Sequence, residues 1–271
     1  MGETCNGMIT KEQTMDLGFK GEHVLITGGT KGIGYACAEA FAAEGCPVTI
    51  TGREDQRVEA ARRSLSEKYQ VSIGGFAGDL GKAEDRKRLG DQVSDVDILV
   101  NNAGAIPGGG LLDLSMETWE EAWALKVMGY IHLTKIYLER MKAKQSGVIV
   151  NIIGGGGRSP RYDYSCGAAG NASLMAFTGA IGGKSVDWGV RVFGINPSST
   201  RTDRAVTLAK RRALSAYGDE SRWQETLGKN PLGRLAEPEE MANAAVFLAS
   251  PACGYVSGAT LDVDGGSAFR S

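Results

Sequence analysis

Apolar positions along this chain come in short blocks, and helical spacing follows most of them. His23-Val24-Leu25-Ile26 reads as a strand, and the Ala-rich segment from Tyr35 to Glu44 carries apolar residues at a helical period. Pro47 to Thr51 predicts a second strand, residues 55–69 a charged amphipathic helix, and Val71 to Ala77 a third strand. Val96 to Val100 predicts a fourth strand, and a long helical stretch runs from about Met116 to Lys144. A fifth strand is expected over Val148 to Ile153, a second long helix from Gly167 to Trp188, and a sixth strand over Val190 to Ile195. Strands alternating with helices predict a parallel, doubly wound sheet in a single α/β domain. No linker or internal repeat interrupts the pattern. Met1 to Lys20 is polar and aperiodic, which reads as a flexible leader before a domain spanning 21–271.

The glycines between the first strand and the first helix give this α/β pattern a chemical purpose. Thr27-Gly28-Gly29-Thr30-Lys31-Gly32-Ile33-Gly34 joins the two elements. Small residues let backbone approach a pyrophosphate, and a helix start aims unpaired N–H groups at it. Taken alone, the run also fits an ordinary tight turn. Its spacing resembles the T-G-x-x-x-G-x-G signature of the short-chain dehydrogenase/reductases. So does Asn101-Asn102-Ala103-Gly104 after the fourth strand, and so do Gly233-Arg234, Pro238-Glu239-Glu240 and Leu261 to Gly266 near the C-terminus. The resemblance covers about residues 20–267. It implies a Rossmann-type fold and a nicotinamide cofactor, with Gly28, Thr30, Lys31, Gly32, Ile33, Gly34, Asn102, Ala103 and Gly104 around it. Asp79 and Leu80 match the adenine position, and Pro197 and Thr202 the segment that meets the carboxamide. Asp79 after a strand equally fits a helix cap.

The end of the second strand bears on which nicotinamide cofactor is held. An acidic side chain there binds ribose hydroxyls and repels a 2′-phosphate. This chain has Gly52 followed by Arg53, with Lys31 nearby in the glycine loop, a pattern that favours NADP(H). The other reading makes both cations solvated surface charges.

The family's Asn-Ser-Tyr-Lys tetrad is where this sequence departs from the pattern. The resemblance places Asn at 126, Ser at 154, Tyr at 167 and Lys at 171, and the chain has Lys126, Gly154, Gly167 and Asn171. Lys and Asn have changed places, so Lys126 is expected to supply the cation near the nicotinamide ribose. Tyr164 lies seven residues before Asn171, an arrangement similar to the enoyl-thioester reductases of this superfamily. Tyr164 with Lys126 is therefore the candidate acid pair, with Tyr162 in reserve. A phenol needs such a cation, because its ordinary pKa near 10 makes it a poor base at neutral pH. Gly154 to Gly157 either offers N–H donors to a substrate oxygen or makes room for a bulky substrate. Residues 203–232 match the family's substrate lid and carry Arg204, Lys210, Arg211, Arg212, Tyr217, Arg222 and Trp223. These suit an acidic, thioester or ring-bearing substrate, or simply form a solvated helix face.

Composition excludes other classes more than it adds. The 271 residues are 42% hydrophobic and 23% charged, with a net charge of −2, so nucleic acid and anionic membrane are not expected partners. Five scattered cysteines without a C-x-x-C pair, and only two histidines, read as reduced cytoplasmic thiols without a zinc site. No apolar run approaches the roughly 18 residues of a membrane span. The expected activity is NADP(H)-dependent carbonyl/alcohol interconversion on a small organic substrate, by a homotetramer or homodimer as family resemblance implies. Enoyl reduction, a redox-silent cofactor-binding protein and, more weakly, a non-redox enzyme using the same pocket are the alternatives.

Overall fold

The computed structural model describes residues 15–228 and 230–270. Seven parallel strands form one sheet: β1 (Val24–Ile26), β2 (Val48–Gly52), β3 (Ile73–Ala77), β4 (Ile98–Asn101), β5 (Gly147–Ile152), β6 (Val190–Pro197) and β7 (Thr260–Val263). Their spatial order is β3-β2-β1-β4-β5-β6-β7. The chain winds outward to β3, then returns to β4 on the other side of β1. That reversal opens a crevice beyond the C-terminal ends of β1 and β4, where doubly wound sheets bind ligands.

Helices α1 (Gly32–Ala43), α2 (Asp55–Lys68), α3 (Ala83–Gln92), α4 (Met116–Lys144), α5 (Ser165–Ser185), α6 (Asp203–Tyr217) and α7 (Pro238–Ala249) connect the strands. The small residues of α1 permit close packing: Ala38, Phe41 and Ala42 are buried in the same core as Met241, Ala242 and Ala245 of α7. Burying a side chain the size of Phe41 contributes about 2–3 kcal/mol. On the other face of the sheet, Leu133, Tyr137 and Met141 of α4 pack with Leu99 and Ile149. Ser115 caps α4 by accepting from Thr118 N, and Gln145 ends it in the left-handed conformation.

Beyond shifts of a few residues at element ends, the two termini of the chain differ from expectation. Residues 1–14 of the expected leader lie outside the described residues. Leu17 and Phe19 already pack on the core, and Phe19 meets Phe41 edge-on at 5.9 Å. The packed part of the chain therefore begins before residue 20. The seventh strand, absent from the strand reading, is only four residues long and half-buried, so its apolar signal is weak.

Candidate functional site

The crevice is one cleft of about 2400 Å³, where ordinary small-molecule pockets hold roughly 300–1,000 Å³. It has room for a dinucleotide and a second ligand together. Its lining joins Lys31 and Arg53 beside β1 and β2 to Gly154, Tyr164 and Asn171 beside β5 and α5.

At the glycine loop, Gly28 has φ +67°, and a Cβ on it would stand 3.1 Å from Ala103 Cα. Helix α1 begins at Gly32 with no side-chain cap and no acidic residue in its first turn. Its first N–H groups thus remain for an anion, which the positive end of the helix dipole also favours. Thr30, Lys31 and Ile33 line the same wall. Asn102 works from behind. Its Nδ2 donates to the carbonyls of Thr27 and Gly28 at 2.9 and 3.1 Å, while its own N–H and that of Ala103 donate to Thr27 Oγ1. The Asn102 amide is spent on bracing the loop.

The cleft rim beside β2 leaves no space for a side chain at Gly52. A Cβ on Gly52 would stand 2.7 Å from Thr30 Cγ2 and 2.8 Å from Val58 Cγ2, so an acidic side chain has no room there without displacement. Lys31 and Arg53 are exposed at the cleft rim, and no ion-pair partner holds either among the described residues. Asp79 Oδ1 accepts from Gly81 N at 3.0 Å, so this residue shapes the turn after β3 as well as bordering the cleft beside Leu80.

Lys126 lies where the inner wall is deepest. Its stem crosses Gly104, where a Cβ would stand 2.4 Å from Lys126 Cδ. Its Nζ donates to the Ile152 carbonyl at 2.6 Å and to Tyr130 Oη at 3.0 Å, and Tyr130 Oη donates to the same carbonyl at 2.8 Å. Burial pushes the amine down to about 7, because no bulk water solvates its charge. Tyr130 escaped the sequence reading, although its place four residues after Lys126 puts both on one helix face.

Asn171 and Gly154 explain each other. Gly154 has φ +137°, and a Cβ on it would stand 2.9 Å from Asn171 Nδ2. Asn171 is 3% exposed, and its Oδ1 has no hydrogen-bond partner. A buried polar atom of this kind on a cleft wall suits a ligand donor. Beside it, the ring of Tyr164 lies against Gly156 and Gly167. The reserve candidate is not brought to this place. Tyr162 is 63% exposed, lies over Gly110 and does not line the cleft.

Pro197 closes β6 at the cleft, and Thr202 caps α6 by accepting from Ala205 N. Thr202 Cγ2 faces Gly32 across the opening. The lid reading needs correction in its charges. Arg222 is paired with Glu225 and stacks on Tyr217 at 4.4 Å, while Trp223 packs against Ala209, Leu227 and Leu235. Lys210 and Arg211 do not line the cleft, and the side chains of Arg204 and Arg212 lie outside the described residues. The lid surface that does line it includes Val206, Thr226, Asn230 and Leu232. A ring-packed, self-paired cation satisfies its charge locally, in keeping with the alternative that these charges form a helix face.

A family profile described as Enoyl-(Acyl carrier protein) reductase matches residues 28–268. The 3-oxoacyl-(acyl-carrier-protein) reductase FabG of Aquifex aeolicus is 32% identical over 93% of this chain and 99% of its own length. The 2,3-dihydro-2,3-dihydroxybenzoate dehydrogenase of Escherichia coli is 31% identical over 92% of this chain and 98% of its own. Among solved structures, L-sorbose reductase from Gluconobacter frateurii, complexed with NADPH and L-sorbose, superposes with a TM-score of 0.88 at 31% identity. That likeness covers 95% of this chain and all of the reductase. With the parallel sheet and its cleft, these likenesses establish that the chain belongs to the short-chain dehydrogenase/reductase family of oxidoreductases.

Proposed function

We propose that this protein is an NADP(H)-dependent oxidoreductase that interconverts a carbonyl and an alcohol on a small organic substrate. The observation that carries this reading is one continuous cleft joining two cations without an ion-pair partner among the described residues, an uncapped helix start and a buried polar cluster. The residues present fit the cofactor. The glycine cradle excludes side chains where a pyrophosphate would lie, Lys31 and Arg53 suit a 2′-phosphate, and Asn171 Oδ1 is free to accept from a ribose or substrate hydroxyl.

When bound, the nicotinamide supplies or takes the hydride. The chain's residues handle orientation and the proton. Tyr164 Oη gives a proton to the substrate oxygen in reduction and takes it back in oxidation. Lys126 carries positive charge at the inner wall and, with an amine near neutrality, exchanges protons readily at physiological pH. Asn171 orients a hydroxyl without adding charge. Thr202 and Leu232 line the lid side of the cleft, where they shape the space left to the substrate.

Enoyl reduction is the second reading, favoured by the seven-residue separation of Tyr164 and Asn171. The test is to titrate with NADPH and NADH by nicotinamide fluorescence, then to offer ketones and enones. Tight NADPH binding with ketone turnover supports the first reading, and a saturated ketone from an enone supports the second. NADPH binding without turnover on either panel would favour a redox-silent protein. As in the sequence reading, a homo-oligomer working among reduced cytoplasmic thiols completes the proposal; Cys37, Cys46, Cys166 and Cys253 are unpaired.

A further inference from the structure

The three hydrogen bonds among Lys126, Tyr130 and Ile152 form a closed triangle. Tyr130 is 1% exposed and does not line the cleft, whereas Lys126 and Ile152 do. A buried phenol that touches no ligand yet holds a cleft-lining amine acts through that amine. We infer that Tyr130 is a positioning residue, which anchors the Lys126 amine at the inner wall of the cleft by accepting from Nζ and donating to the Ile152 carbonyl.

The chemistry of each corner supports this. A lysine stem has four rotatable bonds, and an unanchored Nζ would seek solvent. Here two acceptors fix it, and the ammonium retains one N–H for the cleft side. The Tyr130 oxygen favours the charged amine because it accepts from it, while burial favours the neutral one. The Ile152 carbonyl takes both donors, so removing the phenol leaves that carbonyl partnered by Lys126 alone. From other elements, Gly104 and the Ile152 backbone meet the lysine side chain and carry no charge, and among the described residues Tyr130 is the titratable side chain hydrogen-bonded to it.

The experiment is a pH titration of lysine Cε resonances in the full-length protein, free of ligand, with Lys126 assigned by its loss in Lys126→Met. In the wild type the Lys126 resonance is expected to titrate near neutrality. Tyr130→Phe should lower that midpoint by about half a unit or more, since one acceptor of the charged form is lost. An unchanged midpoint would overturn the inference. So would wild-type Lys126 Cε methylene protons that are degenerate, as in a freely rotating lysine, a readout that requires no second variant to fold.

The catalytic consequence rests on the function proposed above. Tyr130→Phe should lower kcat and shift its pH profile while leaving the NADPH dissociation constant within about twofold, less than the loss of one net hydrogen bond at the ligand would cause. The titration needs no turnover. A shifted midpoint in an enzyme inert toward every substrate would therefore refute the reaction while supporting the anchor.

Discussion

The ring of Tyr164 occupies the space in which a side chain at Gly167 would begin. A Cβ on Gly167 would stand 2.0 Å from Tyr164 Cζ, so the two positions cannot both carry side chains as placed. A tyrosine three residues upstream thus fills the volume that a side chain at 167 would enter.

Gly167→Ala tests this directly. The methyl must push the phenol aside, and a ring rotates more easily than a helix moves. Turnover should fall by about 100-fold, as in Tyr164→Phe, the usual scale for losing a positioned proton donor. NADPH affinity should hold in both variants. Full activity in Tyr164→Phe would remove this residue from the reaction.

The cofactor preference is tested at the rim. Arg53→Ala should weaken NADPH binding by about tenfold or more, the scale of one charge-assisted hydrogen bond, and leave NADH binding nearly unchanged. Equal losses for both cofactors, measured by fluorescence titration, would return Arg53 to the status of a solvated charge.

Gly52→Asp asks whether the preference can be reversed. Thr30 and Val58 crowd the new Cβ, so a loss of stability of about 1–3 kcal/mol is expected from overpacking, read by denaturant unfolding. Affinity for NADPH should fall further than affinity for NADH, because the carboxylate repels a 2′-phosphate.

Lys126 also links stability to pH. Its folded value, about 7, lies below the ordinary 10.5, so the unfolded chain binds the extra proton between these limits. Stability from this group should rise as pH increases from about 7 towards 10.5, and should be flat at its lowest below 7. Relative to Lys126→Met, the wild type should gain stability across that window. A difference independent of pH between 7 and 10 would mean the amine is not desolvated.

Much of the fold was legible because its signals are local. Gly28, Gly32 and Gly34 mark a strand-to-helix turn wherever they fall between such elements, and α4 begins and ends at Met116 and Lys144, as the spacing predicts. Lys126 and Asn171, singled out by the resemblance, both lie on long helices and line the cleft. What resisted was side-chain direction in irregular backbone. Tyr162 and Tyr164 both sit in the loop leading into α5, and only the positions of Gly110 and Gly167 decide which ring turns inward. Of the two readings of the lid cations, Arg222 follows the local one, because it finds Glu225 and Tyr217 within its own segment. Tyr130 was hidden by its ordinariness: an apolar-looking helix position gives no hint that a strand carbonyl waits opposite it.

The fit of Gly154 against Asn171 has a consequence for how such a site can change. A serine restored at 154 meets the Asn171 amide and a backbone twist that L-residues rarely adopt, while a tyrosine restored at 167 meets Tyr164. Each single change to the residue that the resemblance places there is therefore blocked by a neighbouring side chain. The substitutions behave as one interlocked set with strong epistasis, and a functional path between this site and its relatives must alter several positions together.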